Sequence, residues 1–220
     1  MTFSLVGMCH RTGMFGAAVT TSNMNVGTRC PFAKASIGAV LTQHRTDNRL
    51  GPKGLALLEE GKTAPEVIDS LASNNPTMGW RQLAVIDQSG NSAFYHGDRI
   101  ASTHAAAQGA SSCAIGNIIR TEAVPQAMID AFEEVSSLHL AERLVRGLEA
   151  GLDAGGELKQ IKSAALLVVH EHEFPLVDLR VEFDRAPLME LRFLWEAYMP
   201  QMEKFVTQVI DPDSLPYPGS

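Results

Sequence analysis

The chain has 220 residues, 45% hydrophobic and 20% charged, which are ordinary globular values and exclude disordered and fibrous classes. Its formal charge of -7, with no basic stripe, excludes nucleic acid as a main partner, because phosphate binding draws on clustered Lys and Arg. The 3 cysteines, Cys9, Cys30 and Cys113, have no CxxC spacing, so the expectation is buried thiols in a reducing compartment rather than a disulfide framework or a zinc site.

In chain order, Met1-Thr2-Phe3-Ser4 carries neither a basic leader segment nor an apolar stretch, and no apolar run approaches the roughly 18 residues of a membrane span. A cytoplasmic protein with no membrane partner is expected. Residues 3–8 read as a strand, 9–13 as a turn and 14–21 as a second strand. Residues 22–31 are a polar connection, and 36–43 are another apolar strand. A helix is predicted around 52–60, ended by Gly61. Thr63 caps the next one, with Pro65 and Glu66 in its first turn and Val67, Ile68 and Leu71 facing inward. Residues 82–87 and 92–96 flank Gln88-Ser89-Gly90-Asn91 as a hairpin, and 112–117 is a short strand.

Two amphipathic helices are predicted over 124–136 and 138–152, ending at Gly155-Gly156, a loop within one domain. Residues 163–170 and 176–183 form a last strand pair. Leu188, Leu191, Leu194, Trp195, Tyr198, Met202, Phe205 and Val209 then fall at helical spacing, with a kink at Met199-Pro200. That stripe reads as core packing whose width also suits a homodimer face. One domain over 1–210 and a Pro-rich irregular tail over 211–220 are expected. The grouping of strands and helices favours α+β layers over a doubly wound parallel sheet.

No GxGxxG, P-loop or GxSxG occurs, and no cofactor is expected. Thr2 is the first chemical candidate. Removal of Met1 would leave its α-amine beside its hydroxyl, and an amine titrating near neutrality can take the hydroxyl proton as Oγ attacks a carbonyl. His170 and His172 alternate on one strand face, as two metal ligands would. No third ligand is evident, though, and Phe174-Pro175 follows as a turn would, so a solvated turn and no metal are expected. Cys9 has no recognisable base and reads as a buried thiol.

Thr2-Phe3-Ser4-Leu5-Val6, Gly16-Ala17-Ala18-Val19 and Gly38-Ala39-Val40-Leu41-Thr42-Gln43 resemble the start of the domain of unknown function 1028 family. This is an uncharacterised group placed in the N-terminal-nucleophile (Ntn) hydrolase superfamily. Further matches follow in order at Gly51-Pro52-Lys53-Gly54-Leu55, residues 81–87, Gly116-Asn117, residues 163–169 and Val177-Asp178-Leu179-Arg180-Val181. The resemblance implies a four-layer αββα sandwich of two stacked, mostly antiparallel sheets, with Thr2 in the cleft between them. Strands that carry small and apolar residues on both faces fit such a sandwich.

On the same resemblance, Lys34 precedes the third strand much as a lysine does in threonine-type Ntn enzymes, where its charge favours a deprotonated amine. Asn117 would donate to an oxyanion. Ser22 and Asn23 would stand at the cleft mouth, Gln43 would orient a substrate amide, and Arg29, Lys34 and Arg81 could line the cleft. Each also has a plain reading, as a surface lysine, a turn residue, a loop or a strand-end hydrogen bond. Residues 105–113 are richer in Ala and Ser than the family would lead one to expect, and His104 reads as a loop bystander. The implied activity is a cofactor-independent amidohydrolase acting on a small-molecule or peptide amide through Thr2. The alternative is an inactive binding or scaffold protein on the same fold.

Overall fold

The chain's opening apolar run forms β1 (Thr2–Cys9), which turns at Gly13, φ 74, into β2 (Met14–Thr21). A computed structural model describes residues 1–73 and 75–216. Its further strands are β3 (Pro31–Lys34), β4 (Gly38–Gln43), β5 (Gln82–Ile86), β6 (Ser92–His96), β7 (His104–Gly109), β8 (Ser112–Asn117), β9 (Ser163–Val169) and β10 (Val177–Val181). The helices are α1 (Leu50–Glu59), α2 (Ala64–Ser73), α3 (Val124–Glu134), α4 (Leu140–Asp153), α5 (Pro187–Tyr198) and α6 (Met202–Ile210).

The strands form a 6-stranded sheet, β10-β9-β2-β1-β8-β7, and a 4-stranded sheet, β3-β4-β5-β6, and every named strand pair is antiparallel. The sheets stack face to face. Helices α3, α4 and α5 cover the outer face of the larger sheet, and α1 and α2 cover the smaller. The architecture is therefore an α+β, four-layer αββα sandwich.

Burial explains why the central strands are apolar on both faces. Phe3 and Leu5 pack with Phe132, Leu144 and Leu148 beneath the helices. Val6 faces the other way and packs between the sheets with Phe15, Val19, Leu41 and Ile115. A third cluster, including Val40, Leu83, Val67 and Leu71, joins the smaller sheet to its helices. The helix layer sits so close that a Cβ at Gly7 would lie 2.5 Å from the Phe132 ring. Helix α2 starts as the sequence predicts, with the Glu66 carboxylate reaching back to accept from the Thr63 N–H at 2.8 Å.

Three expectations need correction. Residues 31–34, placed at the end of a connection and beyond it, form edge strand β3, whose first position tolerates Pro31. Residues 104–109 form β7 rather than loop, because pairing with β8 supplies what their alanines lack in strand propensity. The closing stripe divides. Leu188, Leu191 and Trp195 are buried, whereas Phe205 and Val209 are exposed on α6, beyond a 3-10 turn at Met199–Gln201. In the tail, Pro212–Ser214 form one short 3-10 turn, and residues 217–220 lie outside the described residues. Among the described residues no helix is long and apolar enough to cross a membrane.

Candidate active site

Side-chain alternation builds the site. Because Val6 faces the inter-sheet layer, Ser4 and Thr2 face it too, and so do the strand-end residues of the neighbours. Thr2 is the Cα partner of Asn117, Asn117 of His104, and Thr21 of Ser163. On the facing sheet Gln43 is the partner of Gln82, and Gln82 of His96. One end of an otherwise apolar interlayer is thus closed by a polar row from both sheets. Thr2 is 6% exposed and Gln43, Gln82 and Asn117 are each 0% exposed.

Gln82 organises the row. Its Nε2 donates to the Gly116 carbonyl at 2.9 Å and lies 3.0 Å from His96 Nε2, which fixes the amide orientation. Its Oε1 then accepts from Gln43 Nε2 at 2.6 Å and from Asn117 Nδ2 at 2.9 Å. Gln43 Oε1 in turn accepts from the Ser4 hydroxyl at 2.8 Å. This leaves Asn117 Oδ1 buried without a partner among the described residues, an acceptor where the sequence led us to expect an oxyanion donor. His96 stacks edge-on against His104 at 4.9 Å, and burial, with His104 beside it, holds its pKa down to about 4.

The Thr2 hydroxyl lies 3.3 Å from the Thr21 hydroxyl, and both donate to the Met1 carbonyl. The Ser22 hydroxyl lies 3.5 Å from Met1 Sδ. Glu157, missed in the sequence, completes this corner. The Gly155-Gly156 break, both glycines at positive φ, loops back so that Glu157 bridges Ile119 and the Gly156 carbonyl accepts from the Arg120 N–H. Ile118, between Asn117 and this bridge, holds φ 54, a strained conformation for a β-branched residue. The Glu157 carboxyl accepts from the Ser22 N–H at 3.1 Å. Burial pushes its pKa up to about 7, against the pull of the Ser22 and Thr21 hydrogen bonds and the chain's amino terminus. That amino group is itself shifted down by burial, opposed chiefly by Glu157.

Of the residues expected here, the fold brings Thr2, Asn117, Gln43 and Ser22 together, with Asn23 exposed just outside. Lys34 is elsewhere. It ends β3 opposite Gly38, at the far end of β4 from Gln43, and pairs with Glu59 at 2.5 Å on the surface. Arg81 adjoins Gln82 but bonds Thr77 Oγ1 at 3.1 Å and the Arg45 carbonyl, on the outer side of the sheet. His104, read as a bystander, belongs to the row. His170 Nε2 bonds the Thr12 carbonyl at 2.8 Å, and His172 stacks on Phe174. Among the described residues no group of His, Cys, Asp and Glu is arranged to hold a metal.

Outside Ser22 runs a groove of about 500 Å³ lined by Asn25, Arg29, Lys162 and Phe183 among others. The arrangement brings together a buried hydroxyl, a second hydroxyl on Thr21, a buried carboxyl and an unpartnered amide oxygen, with the groove beyond Ser22. A hydroxyl with a second hydroxyl donor beside it can attack a carbonyl.

The family of unknown function DUF1028 has a model that matches residues 2–191. The crystal structure of protein SPO2555 from Silicibacter pomeroyi, which carries the same family designation, is 28% identical with a TM-score of 0.84, covering 90% of this chain and 86% of its own. More distant matches are Anbu (ancestral beta-subunit) from Yersinia bercovieri and the Anbu (Gly-1) mutant from Hyphomicrobium sp. strain MC1. The first is 10% identical with a TM-score of 0.39, over 92% of this chain and 97% of its own. The second is 12% identical with a TM-score of 0.43, over 94% and 99%. No curated protein matches the sequence.

Proposed function

The chain belongs to the DUF1028 family, and from that footing we propose that it is a cofactor-independent amidohydrolase whose nucleophile is Thr2, freed as the N-terminus by removal of Met1. One observation carries the reading: the Thr2 hydroxyl is buried at the head of a central strand, beside the Thr21 hydroxyl, with the Glu157 carboxyl close enough to interact with the Met1 amine one residue away.

The reaction would run in two halves. Thr2 Oγ attacks the amide carbon while its proton passes to the α-amine, and the carbonyl oxygen becomes an oxyanion. The hydroxyl of Thr21, which donates to the Met1 carbonyl beside Thr2, would stabilise it once Met1 is gone. The C–N bond breaks as the α-ammonium returns the proton to the leaving nitrogen, which leaves an ester on Thr2. Water, deprotonated by the same amine, then releases the acid and restores the hydroxyl. Glu157 acts through the amine, orienting it and setting its proton occupancy.

Replacing Thr2 by Ala tests this. Turnover of amides and labelling by an acylating probe should both vanish, with the melting temperature within about 3 °C of wild type, since one partly redundant hydroxyl contact is lost. An active Thr2→Ala protein would sink the proposal.

A second reading, a binding protein without chemistry, is favoured by Asn117, whose nitrogen is committed to Gln82 and whose free oxygen cannot hold an oxyanion. With Met1 retained, the α-amine would also be one residue away from the hydroxyl. Intact mass at native expression level separates the two, since retention of Met1 removes the base that the hydrolase needs.

A further inference from the structure

The groove beside Ser22 differs in charge from the rest of the molecule. The chain carries a net charge of -7, yet Arg29 and Lys162 line this groove, and the Met1 amino terminus next to Ser22 feels Lys159 and Arg29 as well as the Glu157 carboxyl, the strongest charge on it. None of the three cations has a carboxylate partner among the described residues. The Arg29 guanidinium bonds the carbonyls of Asn25 and Met24, at 3.1 and 2.8 Å, which leaves its charge uncompensated. Lys162 Nζ stands 5.7 Å from the exposed Phe183 ring. Nearby Asp184 turns away to cap the Ala186 N–H at 2.7 Å.

Beside Thr2, whose hydroxyl lies 3.3 Å from that of Thr21, the residue before Ser22, Asn117 Oδ1 is a fully buried acceptor with no partner among the described residues, a costly state that a ligand N–H would relieve. The buried row and the groove therefore ask for different chemistry, an N–H donor at Asn117 and an anion between Arg29 and Lys162.

We propose that this site takes amides bearing a pendant carboxylate, the amide N–H directed to Asn117 and the carboxylate held in the Arg29–Lys162 groove. The inference rests on the hydrolase reading for what happens to the amide, and stands apart from it for what is bound. Glutaramate, an amide with one carboxylate, and the neutral diamide glutaramide differ in that feature alone and serve as probes.

Titrated into the full chain at low salt, glutaramate should bind at least about tenfold more tightly than glutaramide, and the gap should shrink as salt screens the groove. Lys162→Gln, at an exposed position that folding does not depend on, and Arg29→Gln should each narrow the gap, and together they should close it. The preference should survive in Thr2→Ala. Equal affinity for the two probes, no binding of either, or a preference untouched by both groove variants overturns the inference. Selective binding without release of ammonia from glutaramate would overturn the hydrolase reading and keep the anion groove. Equal ammonia release from both amides would do the reverse.

Discussion

Thr2 and Asn117 are Cα partners across the β1–β8 ladder, so the hydroxyl proposed as nucleophile and the orphaned amide oxygen stand side by side at one end of the sandwich. The Asn117 orientation follows from the network rather than from local preference. The Gly116 carbonyl demands the Gln82 Nε2, Gln82 Oε1 then demands donors, and Asn117 must present its nitrogen there, which leaves its oxygen turned from Gln82 without a partner among the described residues.

Asn117→Asp is therefore expected to be costly in a pH-dependent way. The change removes the donor to Gln82 Oε1 and places a carboxyl at a position with 0% exposure. Burial would raise the folded pKa of this aspartate above its unfolded value of about 3.9, so the folded state binds the extra proton and stability falls as pH rises through that window. Thermal melts should show a loss of several degrees at pH 8, and a smaller one at pH 5. A pH-independent loss would mean that the new carboxyl is solvated and that the site is more open than the structure has it.

Gln82→Leu should be among the most damaging single changes in the interlayer. It takes their shared partner from the Gly116 carbonyl, Gln43 Nε2 and Asn117 Nδ2, all at buried positions, though Gln43 Nε2 keeps a long bond to the Ile115 carbonyl at 3.5 Å. At about 1–3 kcal/mol for each group left unpaired, partly relieved by relaxation, a total of about 2–4 kcal/mol is expected by chemical denaturation. A cost below about 1 kcal/mol would show that the row is not a connected network.

Lys34→Ala should do almost nothing, to stability or to any activity that Thr2 supports. The Lys34–Glu59 pair is roughly half exposed on both sides, 48% and 53%, and such pairs contribute about 0–1 kcal/mol. A loss of turnover in this variant, with the fold intact, would restore lysine to the mechanism and contradict its placement in the surface layer.

The layers of the fold were legible because central strands buried on both faces read as long apolar runs, and because the amphipathic helices kept a 3.6-residue period. The strands that escaped were β3, four residues opening with Pro31, and β7, whose alanines carry no alternation signal. Part of the site could also be read: polar Thr2, Gln43 and Asn117 each stand at the end of an apolar strand, whereas Gln82 read only as a strand start and its neighbour Arg81 was expected in its place. What no pattern revealed was that these ends coincide in space. Register between strands distant in sequence decides it, and the same register carries Lys34 to the opposite end of the sheet. Glu157 gave no signal at all, since a glutamate after two glycines in a loop resembles any solvated residue.

Glu157→Gln offers the sharpest separation between a buried carboxyl that serves the amine and one that merely fills space. In the wild type the folded pKa is raised to about 7 from 4.5. The folded protein therefore holds a proton that the unfolded chain gives up, and stability present below about pH 4.5 is lost as pH rises through about 7. Glutamine cannot ionise, so the variant should escape this loss. Its melting temperature relative to wild type should rise by several degrees between pH 5 and pH 8. Activity should move the other way. With Met1 removed, the acidic limb of kcat/KM should report the joint titration of Glu157 and the α-amine, and the variant should flatten or displace that limb while lowering its plateau about tenfold or more. If stability shifts as described but the pH profile of kcat/KM does not, Glu157 is a structural residue only and the amine is tuned by burial alone.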